Sequence, residues 1–269
     1  MKITLLANRD LAANIALNYL IPQLRGHKLT LFLSDQIGGR ASVPQPLIDL
    51  QFFEQQLFNR IVFPAVDTTA PAAIKNGDKL KTFSGLQNKL CRPIESLNQI
   101  NQPCGLDKLR ASRPDVILSI RFGKILQEQA IKCARHCVLN LHSGILPAYR
   151  GVMPTFRAMM NGDSEYGITL HTINNSAIDE GSVVSEARLP LDLSKSYLEN
   201  VIALYRPGCR LMLDAVKTIT DGEPLPTIAQ KGRARYYSFP TSEQLLQFQA
   251  RQMRLYDPRH IMRLFERYR

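Results

Sequence analysis

The chain has 269 residues, 45% of them hydrophobic and 21% charged, with 34 Lys+Arg against 23 Asp+Glu and a formal charge of +11. That length suits one large α/β domain or a domain with a smaller appendage, and the apolar fraction excludes wholesale disorder. No apolar run approaches the roughly 18–20 residues of a membrane span, and the short N-terminal run soon meets Arg9 and Asp10, so neither a membrane segment nor export is expected.

Residues 2–7 form a short continuous apolar run, as expected of a strand buried on both faces. Leu11, Ile15, Leu17, Leu20 and Ile21 then mark one side of a helix that stops at Pro22, and 28–34 reads as a second strand, completing a βαβ unit. Residues 36–105 are less regular. They hold an aromatic-rich helix candidate at 48–59, whose Phe52, Phe53 and Phe58 suit a core or a homodimer seam, and a Pro/Gly/Lys-rich stretch at 64–81 that reads as loop. Regularity returns with a helix at 107–113, a buried strand at 115–120, a helix at 124–133 and a strand at 137–141. Strands are expected at 167–173 and 182–188, followed by a long amphipathic helix at 195–221 that stops at Asp221-Gly222. A strand around 233–239 and helices at 241–255 and 258–268 complete the pattern. This alternation predicts an α/β fold with a doubly wound, mostly parallel, Rossmann-like sheet and a short C-terminal α+β extension, binding its ligand at the carboxyl ends of the strands.

The excess charge is uneven. Residues 230–269 hold nine basic and three acidic side chains, so this tail carries +6 of the +11; it suits solvent, an anionic small molecule or RNA. Tyr236 and Tyr237 beside Arg233 and Arg235 suit either nucleotide stacking or an exposed strand edge. The five cysteines (91, 104, 133, 137 and 209) are odd in number and unframed, the pattern of reduced thiols in a cytoplasm. Cys133, His136 and Cys137 have no partner pair at ligand spacing, so no metal is expected.

The most informative segment runs from Asn140 to Gly151. A buried strand ends with Asn140 and His142 two apart, hence on one face, before a Gly- and Pro-containing loop. Asp179 stands in a turn after another apolar strand, and an amide, an imidazole and a carboxylate can converge there on one reacting carbon. The spacing alone also fits a capped loop histidine and a turn-forming aspartate.

Asn-Leu-His-Ser-Gly-Ile-Leu-Pro-Ala-Tyr-Arg-Gly at 140–151, then Gly-Ile-Thr-Leu-His-Thr-Ile at 167–173 and Ile-Asp-Glu-Gly at 178–181, resembles the 10-formyltetrahydrofolate-dependent formyltransferase superfamily. That superfamily includes methionyl-tRNA formyltransferases, glycinamide ribonucleotide transformylases and sugar N-formyltransferases. The resemblance runs from about Pro114 to Pro190 and carries both motif blocks with their spacing. It implies a catalytic domain over 1–192, followed by a helix and a small α+β extension over 193–269. It also implies that Asn140 and His142 stabilise a tetrahedral oxyanion while Asp179 helps His142 move the proton. Phe122, Gly123, Lys124, Ile125 and Leu126 match the segment whose backbone grips the pterin, and the loop 174–179, with Ser176 and Ile178, would close the pocket's other side.

Contacts to the acceptor are expected from Asn8, Arg9, Arg121, Tyr149, Arg150 and His171. Arg121 equally suits an ion pair, and His171 a satisfied sheet position. Ser143-Gly144 and Asp179-Glu180-Gly181 depart mildly from the motif, and no Gly/Ser-rich phosphate loop follows the first strand, where Asn8-Arg9-Asp10 stands. The roughly 80 residues after the motif blocks are short for the oligonucleotide-binding domain of a tRNA enzyme, and a hydrolase's regulatory domain is not expected ahead of the first strand. The expectation is therefore formyl transfer to a primary amine of a small molecule, with a nucleotide-linked amino sugar favoured. A methionyl-tRNA-type enzyme, a hydroxyornithine-type acceptor and a non-catalytic folate- or RNA-binding module stand as alternatives.

Overall fold

The computed structural model describes residues 1–35, 43–69 and 79–269. Strand β1 (Lys2–Asn8) lies between β2 (Lys28–Ser34) and β4 (Val116–Ile120), and its residues 3–8 are all buried, which is why it reads as an unbroken apolar run rather than an alternating one. β2 pairs with the two-residue β3 (Glu95–Ser96), and β4 pairs with β5 (Cys137–His142), all in parallel. After a short β6 (Arg150–Gly151) come β7 (Glu165–Thr172) and β8 (Val183–Pro190), which join antiparallel, giving the order β3-β2-β1-β4-β5-β7-β8. The sheet is thus mostly parallel, with an antiparallel hairpin at one edge.

Helix α1 (Leu11–Leu20) starts on the Asp10 side chain, which accepts from the Ala13 amide, and buries eight of its ten residues. The aromatic-rich segment forms α2, a helical run over 45–68 with π-type turns at Phe52–Gln56 and Phe58–Val62. Phe63–Thr68 continues this run, so the loop expected from residue 64 begins later; Pro64 follows directly on the second π-type turn, inside the run. Residues 70–78 of that expected loop lie outside the described residues.

Helix α3 (Pro103–Ser112) begins four residues before the expected start, with Pro103 pre-set for a first turn. The helix expected at 124–133 is reduced to one turn, Glu128–Ile131. Ahead of that turn the Asn101 side chain donates to the Ile125 carbonyl and accepts from the Gln127 amide, holding the chain in an irregular course. Helix α4 (Pro154–Asn161), ended by the left-handed Gly162, was not expected. Strand 233–239 contracts to β9 (Tyr236–Tyr237), which pairs with β6.

Helix α5 (Tyr197–Thr220) opens with a reciprocal capping box between Ser196 and Glu199 and runs through Pro207. It packs on α1, β7 and β8, and residues on both sides of position 192 share one hydrophobic cluster. Helices α6 (Ser242–Ala250) and α7 (Pro258–Glu266) join the same cluster through Leu245, Phe248, Ile261 and Leu264. Among the described residues no helix is long and apolar enough to cross a membrane.

Candidate active site

The ends of β4 and β5, the β7–β8 loop, α2 and α5 surround one cavity of about 530 Å3. Register explains its polar wall. Asn140 on β5 stands opposite His171 on β7, and the Asn140 amide lies 3.0 Å from His171 Nε2. The other ring nitrogen of His171 lies 2.9 Å from the Thr172 carbonyl, which can only accept, so Nδ1 is the donor there, and Nε2 faces both the Asn140 amide and the Asp179 carboxylate. Asp179 stands between two imidazoles, with one oxygen 3.4 Å from His171 Nε2 and the other 3.4 Å from His142 Nδ1. That second oxygen also accepts from the Gly151 amide at 2.8 Å. His142 Nε2 donates to the Tyr149 carbonyl at 2.6 Å, and its Nδ1 faces the Asp179 carboxylate.

Burial alone would raise the Asp179 carboxyl. The positive field of His142, the His171 contact and the Gly151 amide overcome it and hold the group at about 2. Asp179 keeps a left-handed backbone, φ 55°, fixed where the Gln230 amide donates to the carbonyls of Asp179 and Gly181. Arg121 and Met153 share that conformation, so three of the five described non-glycine residues with positive φ line this cavity, the kind of place where backbone strain concentrates. Gly144 is needed beside His142: a Cβ there would come within 2.9 Å of its Nε2 and 2.6 Å of Pro154.

The cavity lining takes in Asn140, His142, Asp179, Arg121, Phe122 and Gly123. Lys124, Ile125, Leu126, Ser176 and Ile178 lie outside it, as do Asn8, Arg9, Tyr149, Arg150 and His171. Asn8 is buried, donating to Asp10 and accepting from Ser34, while Arg9 pairs with Asp35 at 2.7 Å. Tyr149 bonds Asp163 and Asn161 through its hydroxyl and stacks on Tyr237, so Tyr237 is engaged while Tyr236 is exposed. Arg150 is held by Gln230 and Glu180. His171 is 2% exposed and reaches the site only through Asn140 and Asp179. Arg121 takes the ion-pair alternative, bonding Asp10 and Glu54. The Gly123 amide is occupied by Ser34 Oγ, whereas among the described residues the Lys124 and Leu126 amides make no hydrogen bond.

Glu54, Tyr197, Tyr205 and Gln230 are site residues that local pattern did not reveal. Glu54 stands among Gln51, Gln55 and Gln56 and Gln230 in a loop, so polarity alone does not single them out. In the tail, Arg251 donates to the Met160 carbonyl, Arg254 to the Ser194 carbonyl, and Arg263 lies 3.7 Å from Glu199. Among the described residues no group of three or more His, Cys, Asp or Glu is placed to hold a metal ion.

A family model described as "Formyl transferase" matches residues 54–203. A methionyl-tRNA formyltransferase from Kosmotoga olearia is 28% identical over 173 residues, which are 62% of this chain and 55% of the relative. The chain thus spans about half the length of that curated relative. An N-formyltransferase from Helicobacter canadensis, solved with folinic acid and dTDP-3-aminofucose, has TM-score 0.56 at 14% identity, covering 88% of this chain and 70% of that one. Glycinamide ribonucleotide transformylase 1 from Symbiobacterium toebii has TM-score 0.56 at 13% identity, covering 85% and 94%. These two likenesses are of fold: the same Rossmann-like sheet, mostly parallel with flanking helices.

Proposed function

The chain belongs to the formyl transferase family, and from that premise we propose that it transfers a formyl group from 10-formyltetrahydrofolate to the primary amine of a small molecule. The observation that carries the reading is the linked set Asn140–His171–Asp179–His142, of which Asn140, His142 and Asp179 line one cavity. Attack of the amine on the formyl carbon makes an oxyanion. Asn140 retains a second amide hydrogen to donate to it, because only one is taken by His171. His142, oriented by Asp179, takes the proton that the attacking amine loses and returns it toward the departing folate nitrogen. His171 acts as a positioning residue, fixing the amide of Asn140 and the carboxylate of Asp179.

The pterin is proposed to lie against Phe122–Leu126, where the free Lys124 and Leu126 amides suit its row of acceptors, with the 174–179 loop opposite. The division into a catalytic domain over 1–192 and a C-terminal extension over 193–269 belongs to the same reading. The favoured acceptor is a nucleotide-linked amino sugar; the Helicobacter neighbour, solved with such a ligand, supports this choice. The methionyl-tRNA reading rests on the Kosmotoga relative and on the basic tail.

The deciding experiment is formyl transfer to a panel of nucleotide amino sugars and to charged initiator tRNA, at about 50 and 200 mM salt. Turnover of a sugar with shallow salt dependence is expected. Efficient tRNA formylation falling steeply with salt, at a slope of about −0.7 to −0.9 per phosphate contact, with no sugar turned over, would refute the acceptor choice. Asn140→Ala should cost roughly 10²–10³ in kcat. Near-normal turnover in that variant would remove its oxyanion role.

A further inference from the structure

Beside Asn140 and His142 the same cavity has a second polar region that the transfer chemistry does not use. Arg121 donates from Nε to Asp10 at 2.9 Å and from Nη2 to Glu54 at 3.1 Å, and all three side chains are largely buried. Two carboxylates therefore share one guanidinium. Asp10 is fully engaged: it caps α1 through the Ala13 amide, accepts from Asn8 and takes Arg121. Glu54 is not. Its single hydrogen bond among the described residues is the one from Arg121, leaving its second oxygen open in the cavity wall. Tyr205, completely buried and lining the same cavity, has the Arg121 guanidinium beside its hydroxyl but makes no well-formed hydrogen bond among the described residues. A carboxylate oxygen left open and a hydroxyl with spare acceptor capacity in one pocket suit a group that is both cationic and a hydrogen-bond donor.

We propose that Glu54, with the Tyr205 hydroxyl, is the acceptor subsite, and that it takes the acceptor's protonated amine. This rests on the formyl-transfer reading and deepens it, naming the acceptor as an amine that enters as a cation. Arg121 and Asp10 act as the frame: Arg121 fixes one oxygen of Glu54 and leaves the other for the ligand, while Asp10 absorbs most of the guanidinium's charge. Burial drives the Glu54 carboxyl up, Arg121 pulls it back and the Asp10 charge adds to the rise, leaving it at about 7. An arriving ammonium supplies the missing counter-charge, and it releases one proton to water before its nitrogen, now carrying a lone pair, attacks the formyl carbon.

The test uses probes of one length and three charges: n-butylammonium, 1-butanol and butyrate, with binding followed by ligand-observed NMR at pH 8. The proteins are wild type, E54Q, which keeps an acceptor for Arg121, and Y205F, which loses only the hydroxyl. Butylammonium should bind wild type in preference to the other two, with affinity about tenfold weaker in E54Q and a few-fold weaker in Y205F. No binding of butylammonium to wild type, preference for butyrate, or unchanged affinity in E54Q would each overturn the subsite. Folinic acid binding is measured in parallel, and equal losses of both ligands in E54Q would mark a collapsed cavity and overturn it too. For whichever amine the acceptor panel turns over, E54Q should raise KM more than it lowers kcat. If no amine is formylated while butylammonium still binds through Glu54, the transfer reading fails and the subsite stands; if transfer proceeds with an unchanged KM in E54Q, the reverse holds.

Discussion

Asp179 carries two histidines on one carboxylate, and its acidity should be measurable as stability. The folded carboxyl titrates at about 2 against an ordinary 3.8, so its contribution is complete above that ordinary value and is lost as pH falls through about 2. Asp179→Asn keeps the shape and tolerates the left-handed backbone. Its deficit relative to wild type, about 2 kcal/mol at neutral pH, should close between about pH 4 and pH 2 in urea titrations. A deficit that stays constant over that range would mean the histidines do not hold the charge. Gly144 tests the packing around His142. Gly144→Ala must push against Pro154 and the imidazole, and it should cost about 1–3 kcal/mol while lowering kcat more than it raises the KM for folate. An equally stable, equally active Ala variant would show that the loop yields freely.

At the scale of elements, α5 depends on its start. Its capping box uses Ser196 Oγ for the Glu199 amide and Glu199 Oε2 for the Ser196 amide. Ser196→Ala should lower stability by about 1 kcal/mol in denaturant titrations, with the m-value unchanged. The same scale shows what a linear sequence reveals. β1, β4 and β5 were legible because burial on both faces writes a continuous apolar run, and Asn140 and His142 were legible because two residues on a strand share a face. The short turn at Glu128–Ile131 was over-read as a full helix because the clamp from Asn101 comes from 24 and 26 residues earlier in the chain. Helix α4 was hidden by two prolines and a glycine around it, which read as loop until α5 and β7 pack against it. Pairs such as Arg121 with Glu54, 67 residues apart, and Asn140 with His171, 31 apart, follow from packing and register, which no local period records.

The molecule as a whole is tied together across its length. The Tyr268 hydroxyl donates to Asn14 Oδ1 at 2.6 Å, and its ring lies against Phe58 and Phe63. Tyr268→Ala removes a buried aromatic and leaves Asn14 Oδ1 with only its Asn18 donor, so roughly 3–5 kcal/mol should be lost although the residue is remote from the Asn140 site. Because one hydrophobic cluster spans α1, the sheet, α5 and α7, near- and far-UV circular dichroism should report the same midpoint in this variant. Separate midpoints would divide the chain into independent units.

The packing of α5 on α1 also has a clock attached. Cys209 donates to the carbonyl of Ala16, a separation of 193 residues, so the helix that covers α1 is synthesised long after it. At translation rates of about 5–20 residues per second, α1 waits roughly 10–40 s for its cover. During that interval the apolar side destined for α5 is open to whatever the nascent chain meets.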